Sequence, residues 1–194
     1  NELEKATKKG QAELLRLGFA LLFIIAVMLY ATQQGVSGLN GVMLAIAAVI
    51  GAYMAMNIGA NDVANNVGPA VGSKALTLTG ALFIAAIFEA AGAIIAGGEV
   101  VGTIRNGIID PAQIPNADTF VWLMMAALLA AALWLNVATY VGAPVSTTHA
   151  IVGAVLGSGV AASGFDIVDW GTMGQIAASW VISPVLGGIF AAAF

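Results

Sequence analysis

Two polar stretches interrupt an otherwise apolar sequence, and both contain residue types that bind ions. The first, NIGANDVANNVGPAVGSKALT at positions 57–77, combines an aspartate with several asparagines. The second, GAPVSTTHAIVGAVLG at positions 142–157, combines a proline with three consecutive hydroxyl residues. Polar and charged groups at membrane depth are expensive and usually mark functional sites, so each stretch needs its own explanation.

The first stretch offers oxygen ligands for a small cation. Asn61, Asp62 and Asn65 supply amide and carboxylate oxygens, which suit Na⁺ or a bound proton better than a transition metal. Asn61 and Asn65 are four residues apart and would share one helix face. Gly68 and Pro69 predict an interruption of the helix, where freed backbone carbonyls could line a cavity. The competing interpretation is that these side chains cap helix ends in a hydrated loop.

The second stretch has the features of an oxyanion site. Pro144 suits the first turn of a helix, where its missing N–H costs nothing. Ser146, Thr147 and Thr148 then place hydroxyls beside the free backbone N–H groups and the positive end of the helix dipole. The alternative is ordinary N-capping with hydrogen bonds between helices. His149, the sole histidine, is interpreted as a structural residue, with a role in proton coupling left open.

Glu89 lies within an apolar run, AAIFEAAGA, and is predicted to face the interior of a helical bundle. Its carboxylate could bind a cation, carry a proton, or pair with Arg105 or Lys74. We include it in the candidate cation site and keep the structural pair as the alternative.

Together the two stretches predict a symport site. Asp62 would repel a bare anion, so a cation between this carboxylate and the anion is the physical expectation. Each ion would then improve the binding of the other. Interrupted helices that meet near the middle of the membrane are the usual construction of secondary transporters.

The composition restricts the class of protein. Of the 194 residues, 60% are hydrophobic and 8% are charged, and the mean hydropathy is +0.98. These values predict an all-α integral membrane protein, because each backbone polar group in lipid needs an internal partner. The absence of cysteine excludes disulfides and thiolate metal sites. No basic stripe suggests nucleic acid, no nucleophile–base pair suggests an enzyme, and no cofactor is expected besides the coupling ion.

The apolar runs predict transmembrane helices at 14–31, 39–58, 75–96, 119–141 and 173–194. The stretch 145–162 is predicted to be a broken or re-entrant helix. We divide the chain into a segment 1–38, with a cytoplasmic N-terminus and the first transmembrane helix, and a transporter repeat 39–194. Signature interruptions fall at 57–77 and 142–162. Lys5, Lys8, Lys9 and Arg16 predict the cytoplasmic orientation by the positive-inside rule.

The two signatures, GANDVANNVGPAVGSKALT and APVSTTHAIVGAVLGSG, resemble those of the inorganic phosphate transporter family, the cation-coupled phosphate carriers. The flanking stretches FEAAGAIIAGGEVVGTIRNGIID and SWVISPVLGG extend the resemblance over about residues 45–194. The resemblance implies two inverted repeats with substrate bound between them, and this chain contains one copy of each signature. A second repeat is therefore expected in a missing C-terminal segment or another chain. By position, the implied cation ligands are Asn61, Asp62 and Asn65, and the implied phosphate contacts are Ser146, Thr147 and Thr148.

The leading hypothesis is a multi-pass transporter of the inner or plasma membrane that moves inorganic phosphate with Na⁺ or H⁺. Asp62 and Asn65 are the expected Na⁺ ligands if sodium is the coupling ion, and we expect a homo-oligomer in the bilayer. The alternatives are a sulfate or other oxyanion permease, an ion channel, and a non-transporting membrane subunit. A channel would need no coupling ion. A non-transporting membrane subunit would not explain why Asp62 and the three hydroxyls lie in membrane segments, where polar groups are costly.

Overall fold

The computed structural model describes the backbone of residues 2–193 and the side chains of residues 11 and 13–193. This part of the chain forms six α-helices and two short 3₁₀-helices. The α-helices are α1 (Glu2–Thr32), α2 (Gly38–Gly72), α3 (Leu78–Asn106), α4 (Ala117–Tyr140), α5 (Thr147–Ser163) and α6 (Trp170–Ala193), and the 3₁₀ turns are Pro111–Gln113 and Phe165–Ile167. Extended pairing in the described residues is limited to an antiparallel bridge between Ile109 and Val168. The predicted all-helical fold is confirmed.

Within residues 2–193, five helices are long and apolar enough to cross a membrane: the Glu13–Thr32 part of α1, together with α2, α3, α4 and α6. Helix α5 has 17 residues and is about 25 Å long at 1.5 Å per residue, shorter than the roughly 30 Å hydrocarbon core. It is therefore the short element that the sequence predicted as re-entrant. The side chains of Lys5, Lys8 and Lys9 lie outside the described residues, so the cytoplasmic N-terminus stays a prediction.

Helix α2 does not unwind at its asparagines, which corrects the position expected for the first interruption. The helix continues from Gly38 through Pro69 to Gly72, and the chain leaves helical geometry only over the last part of the 57–77 stretch. Two of the asparagine amides bond to carbonyls within the helix: Nδ2 of Asn57 donates to the Tyr53 carbonyl at 2.9 Å, and Nδ2 of Asn66 donates to the Asp62 carbonyl at 3.2 Å. Because these side chains find hydrogen-bond partners within the helix, their polarity does not require an open loop.

The interruption after α2 is a tight turn. Lys74 adopts a left-handed conformation with φ 62°, and its N–H donates to the Val71 carbonyl at 3.0 Å. Thr77 then caps α3, because its Oγ1 accepts the N–H of Gly80 at 3.2 Å. Glycine is the usual residue in such a helix-ending conformation because it has no Cβ to clash. Lysine at this position makes the turn more strained than a glycine turn.

The chain divides into two compact units. The first contains residues up to Pro69 together with Leu128–Thr147, and therefore α1, most of α2 and the second half of α4. The second contains Ala70–Ala127 and the residues from Thr148 onward, and therefore α3, the first half of α4, nearly all of α5, and α6.

In the first unit, α2 packs against α4 along a seam that mixes small apolar residues with amides. Nδ2 of Asn136 donates to Oδ1 of Asn57 at 3.0 Å, and one turn further along both helices Nδ2 of Asn61 donates to Oγ1 of Thr139 at 3.2 Å. Because the paired residue numbers rise together, α2 and α4 run in the same direction. Asn57 and Asn61 are only 5% and 6% exposed, so these hydrogen bonds form away from solvent.

The second unit has the larger apolar core. Its buried members come from the two irregular connections and from the helices beside them: Ile108, Ile109, Ile114, Leu123, Ala127, Val152, Val155, Ile167 and Val168. The connections pair through their backbones, since the Asp110 N–H donates to the Ile167 carbonyl at 2.8 Å and the Asp169 N–H donates to the Ile108 carbonyl at 3.0 Å. This pairing gives the non-helical backbone the internal partners that an apolar environment requires.

Asp169 fixes the start of α6. Its Oδ1 accepts the N–H of Thr172 at 2.9 Å, and its carbonyl accepts the N–H of Met173 at 2.9 Å. The backbone hydrogen bond from Thr172 lowers the pKa of the Asp169 carboxyl, which keeps it ionised at the positive end of the helix dipole.

Gly159 is a close packing position in this unit. A Cβ at 159 would lie 2.6 Å from Cγ2 of Ile109, whereas a Cβ at Gly157 of the same helix would meet nothing within 4 Å. We expect Gly159→Ala to destabilise the full-length protein by about 1–3 kcal/mol, since the β-branched Ile109 has little freedom to move.

The matched control is Gly157→Ala, which should be neutral or slightly stabilising because alanine favours helix. Thermal unfolding of the two detergent-solubilised variants measures the difference. Equal melting temperatures would contradict the packing of α5 on the Ile109 connection.

Candidate ion-binding site

The site begins where α4 ends. Gly142 has a left-handed backbone with φ 72°; its N–H donates to the Thr139 carbonyl at 3.1 Å, and the Ala143 N–H donates to the Ala138 carbonyl at 2.8 Å. This pair of hydrogen bonds is a Schellman motif, in which N–H groups just beyond the end of a helix bond to its last carbonyls. A side chain at Gly142 would strain the backbone, so the glycine helps to define the position of the following segment.

Asn61 joins the first signature to the second. Its Nδ2 donates to the Ala143 carbonyl at 3.1 Å and to Oγ1 of Thr139 at 3.2 Å. Its Oδ1 accepts the N–H of Val145 at 3.3 Å and the Nδ2 of Asn65 at 3.4 Å. The structure therefore brings the asparagines of one predicted stretch to the backbone immediately before the hydroxyls of the other.

The predicted anion-binding residues form the beginning of α5. Ser146 and Thr148 are exposed, whereas Thr147 is only 8% exposed. Oγ1 of Thr147 is buried and has no hydrogen-bond partner among the described residues. A buried hydroxyl without a partner costs about 1–3 kcal/mol of stability, so this atom is not explained by helix capping.

The predicted cation ligands beside Asn61 have free oxygens. Asp62 is half-buried, and its carboxylate makes no hydrogen bond or ion pair with the described side chains. Asn65 is exposed and donates its amide to Asn61, which leaves its Oδ1 available. These two residues supply one carboxylate and one amide oxygen on adjoining faces of α2.

Glu89 is on α3 in the second unit, and its side chain is exposed there. Within the described residues it forms no ion pair with Arg105 or Lys74, so the structural pairs expected as alternatives do not form. A role for this carboxylate in cation binding stays a prediction.

His149 stacks on Trp180 of α6, with ring centroids 3.8 Å apart and ring planes inclined by 24°. Stacking of this kind contributes packing energy and holds the imidazole against the helix. The contact favours the structural interpretation of His149. Nε1 of Trp180 is buried and lacks a hydrogen-bond partner within the described part of the chain.

Three polar residues of the α2–α4 seam were not identified from the sequence: Asn57, Asn136 and Thr139. Asn57 continues the four-residue spacing of Asn61 and Asn65 by one turn, a regularity that could have placed it on the same face. Asn136 and Thr139 are polar residues in the apolar run LWLNVATY, which is the signal expected for hydrogen bonds between membrane helices.

Comparisons with known proteins agree with this architecture. Residues 58–194 match the model of the phosphate transporter family. A Helicobacter pylori protein (strain J99) named "Putative phosphate permease" is 54% identical over 193 residues, covering 100% of this chain and 36% of its own length. A Mycobacterium bovis protein with the same type of name is 45% identical over 185 residues, covering 89% of this chain and 34% of its own.

A solved structure named "The sodium-dependent phosphate transporter" superposes with a TM-score of 0.72 at 44% identity, covering 76% of this chain and 37% of that one. The helices are thus those of a multi-pass membrane protein. The chain belongs to the phosphate transporter family. It spans about a third of the length of the relatives that it matches, 36% in the Helicobacter pylori case.

Proposed function

We propose that the protein containing this chain is a secondary transporter that moves inorganic phosphate across the membrane together with Na⁺. Family membership supports phosphate as the substrate, and the similarity to a solved sodium-dependent phosphate transporter supports sodium as the coupling ion. Proton coupling is the alternative for the cation, and sulfate is the alternative for the anion, because hydroxyls and backbone N–H groups bind either tetrahedral oxyanion.

The observation that carries the proposal is the buried, unpartnered hydroxyl of Thr147 at the first residue of α5. The first backbone N–H groups of a helix have no partner within the helix and attract anions. Thr147 adds a buried hydroxyl to those donors, and Ser146 and Thr148 carry further hydroxyls on either side of it in the sequence. A site made of neutral donors binds phosphate without a fixed positive charge that would slow its release.

The cation site that we assign to this function uses the oxygens of Asp62 and Asn65, and Glu89 is kept as a predicted further ligand. Asp62 carries the negative charge that attracts Na⁺, and once occupied it no longer repels phosphate. Asn61, included among the ligands from the sequence, has both lone-pair positions of its Oδ1 occupied by protein donors. Direct ligation by Asn61 would have to break one of those bonds.

A complete site also requires polypeptide beyond these residues. The exposed carboxylate of Glu89 on a membrane-spanning helix needs a polar partner, because lipid provides none. We propose that a second repeat, in a C-terminal segment or in another chain, covers this face and completes the pathway, and that the protein assembles as a homo-oligomer.

The proposal is tested by reconstituting the full-length protein in liposomes and measuring uptake of labelled phosphate. We expect uptake to follow an inward Na⁺ gradient and to persist in excess sulfate. Uptake driven by a proton gradient instead would show that the coupling ion is H⁺ and not Na⁺. Equal competition by sulfate would change the substrate class to tetrahedral oxyanions. No phosphate uptake under either gradient would overturn the proposal.

Thr147→Val keeps the shape of the side chain and removes its hydroxyl. We expect the KM for phosphate to rise about ten-fold, the equivalent of one lost hydrogen bond of about 1.4 kcal/mol. The melting temperature without phosphate should be unchanged or higher, because an unsatisfied buried hydroxyl is removed. Thr103→Val is the matched control, since the Thr103 hydroxyl bonds to the Glu99 carbonyl within α3. An unchanged KM in Thr147→Val would leave this hydroxyl without a role in binding.

Asp62→Asn retains the size of the side chain and removes its charge. We expect the Na⁺ concentration for half-maximal phosphate uptake to rise at least about ten-fold, because the charge that attracts the cation is gone. Asp118→Asn is the matched control, since Asp118 lies in the first turn of α4 and serves as a helix-dipole partner. A normal sodium dependence of uptake in Asp62→Asn would exclude Asp62 from the cation site.

A further inference from the structure

The amide of Asn61 is fully used by the protein. A carboxamide can donate two hydrogen bonds and accept two, and Asn61 makes all four: with Thr139 and Ala143 through its nitrogen, and with Val145 and Asn65 through its oxygen. The side chain is only 6% exposed. A residue in this condition holds other groups in place and has no free atom for an ion.

The side-chain oxygen of Asn61 accepts hydrogen bonds from both the proposed cation site and the segment before the proposed phosphate site. Its Oδ1 accepts from Nδ2 of Asn65, whose own oxygen is a candidate cation ligand. The same Oδ1 accepts from the N–H of Val145, the residue before Ser146 and two before Thr147. The distances of 3.4 and 3.3 Å are long for hydrogen bonds, so both have room to shorten when the site is ordered.

We propose that Asn61 is a positioning residue that transmits occupancy of the cation site to the phosphate-binding turn, an inference that rests on the proposed function. A cation on the oxygen of Asn65 polarises that amide and makes its N–H a stronger donor to Asn61. Asn61 is then held more firmly, and so are the Ala143 carbonyl and the Val145 N–H to which it bonds. Thr147 lies two residues after Val145, so its hydroxyl is held in its binding position.

The hydrogen bonds from Asn65 through Asn61 to Val145 form a relay between the two sites. This relay works in both directions, because the coupling between two ligands is reciprocal. Phosphate at the start of α5 orders the connection that precedes it, and Asn61 passes this order back to Asn65. The coupling should therefore appear as a change in phosphate affinity on adding cation.

Asn57 provides a matched control one turn earlier on the same helix. It is equally buried, at 5% exposed, and its amide also bridges α2 to α4, through Asn136. Its hydrogen bonds reach Tyr53 and Asn136 but not the connection between α4 and α5. Asn57→Leu therefore removes a comparable buried amide without cutting the relay.

The experiment measures phosphate binding to the detergent-solubilised full-length protein, with and without saturating Na⁺. The ratio of the two dissociation constants is the coupling factor. We expect Asn61→Leu to lower this factor about ten-fold relative to the unmodified protein, and Asn57→Leu to leave it within two-fold, although both variants melt at a lower temperature. If Asn61→Leu does not fold, Thr139→Val removes one anchor of the Asn61 amide and should give a smaller loss of coupling.

An unchanged coupling factor in Asn61→Leu, or in Thr139→Val when it stands in for that variant, would overturn the relay. An equal loss in Asn57→Leu would also overturn it, because general loosening of the α2–α4 seam would then explain the effect. These results differ from failure of the proposed function, in which the unmodified protein itself would bind no phosphate with or without Na⁺.

Discussion

The saturated amide of Asn61 is the interaction on which the candidate site depends. The chain must leave helical geometry between α4 and α5, and each backbone group freed there needs a partner that lipid cannot supply. The Schellman turn at Gly142 satisfies the last carbonyls of α4, and Asn61 supplies partners for Ala143 and Val145. A single buried side chain on α2 thus satisfies the backbone that leads into α5. A leucine at position 61 would leave those backbone groups without partners and α2 without its link to the turn.

The sequence predicted the elements because membrane helices are specified by composition. Runs of apolar residues located the five spans, and the hydroxyls of the second stretch located the start of α5. Pro144, expected in the first turn of that helix, lies instead in the connection before Thr147. The sequence predicted the interruption of the first stretch too early in the chain, because glycine, proline and asparagine favour turns on average. In α2 the side chains of Asn57 and Asn66 bond to carbonyls four residues earlier, and the helix stays intact as far as Gly72.

The contacts between helices could not be predicted in the same way. Sequence spacing places Asn61 and Asn65 on one face but does not show that this face meets Thr139 and the backbone near Val145, because that pairing joins residues about eighty positions apart. The fully buried Ile108, Ile109 and Ile167 lie outside the predicted helices, and a polar flanking sequence gives no sign that two connections pair through their backbones. Ion-binding residue types are visible in one sequence, whereas saturation of their hydrogen bonds depends on the packed structure.

The unpartnered hydroxyl of Thr147 has a consequence for stability as well as for binding. A buried hydroxyl without a partner destabilises the fold, and a bound oxyanion would satisfy it. If phosphate binds there as proposed, it stabilises the protein as a ligand of the native state alone. A sequence optimised for stability alone would place valine at position 147, which has the same shape and no hydroxyl to satisfy. The threonine there is a residue that folding by itself does not explain.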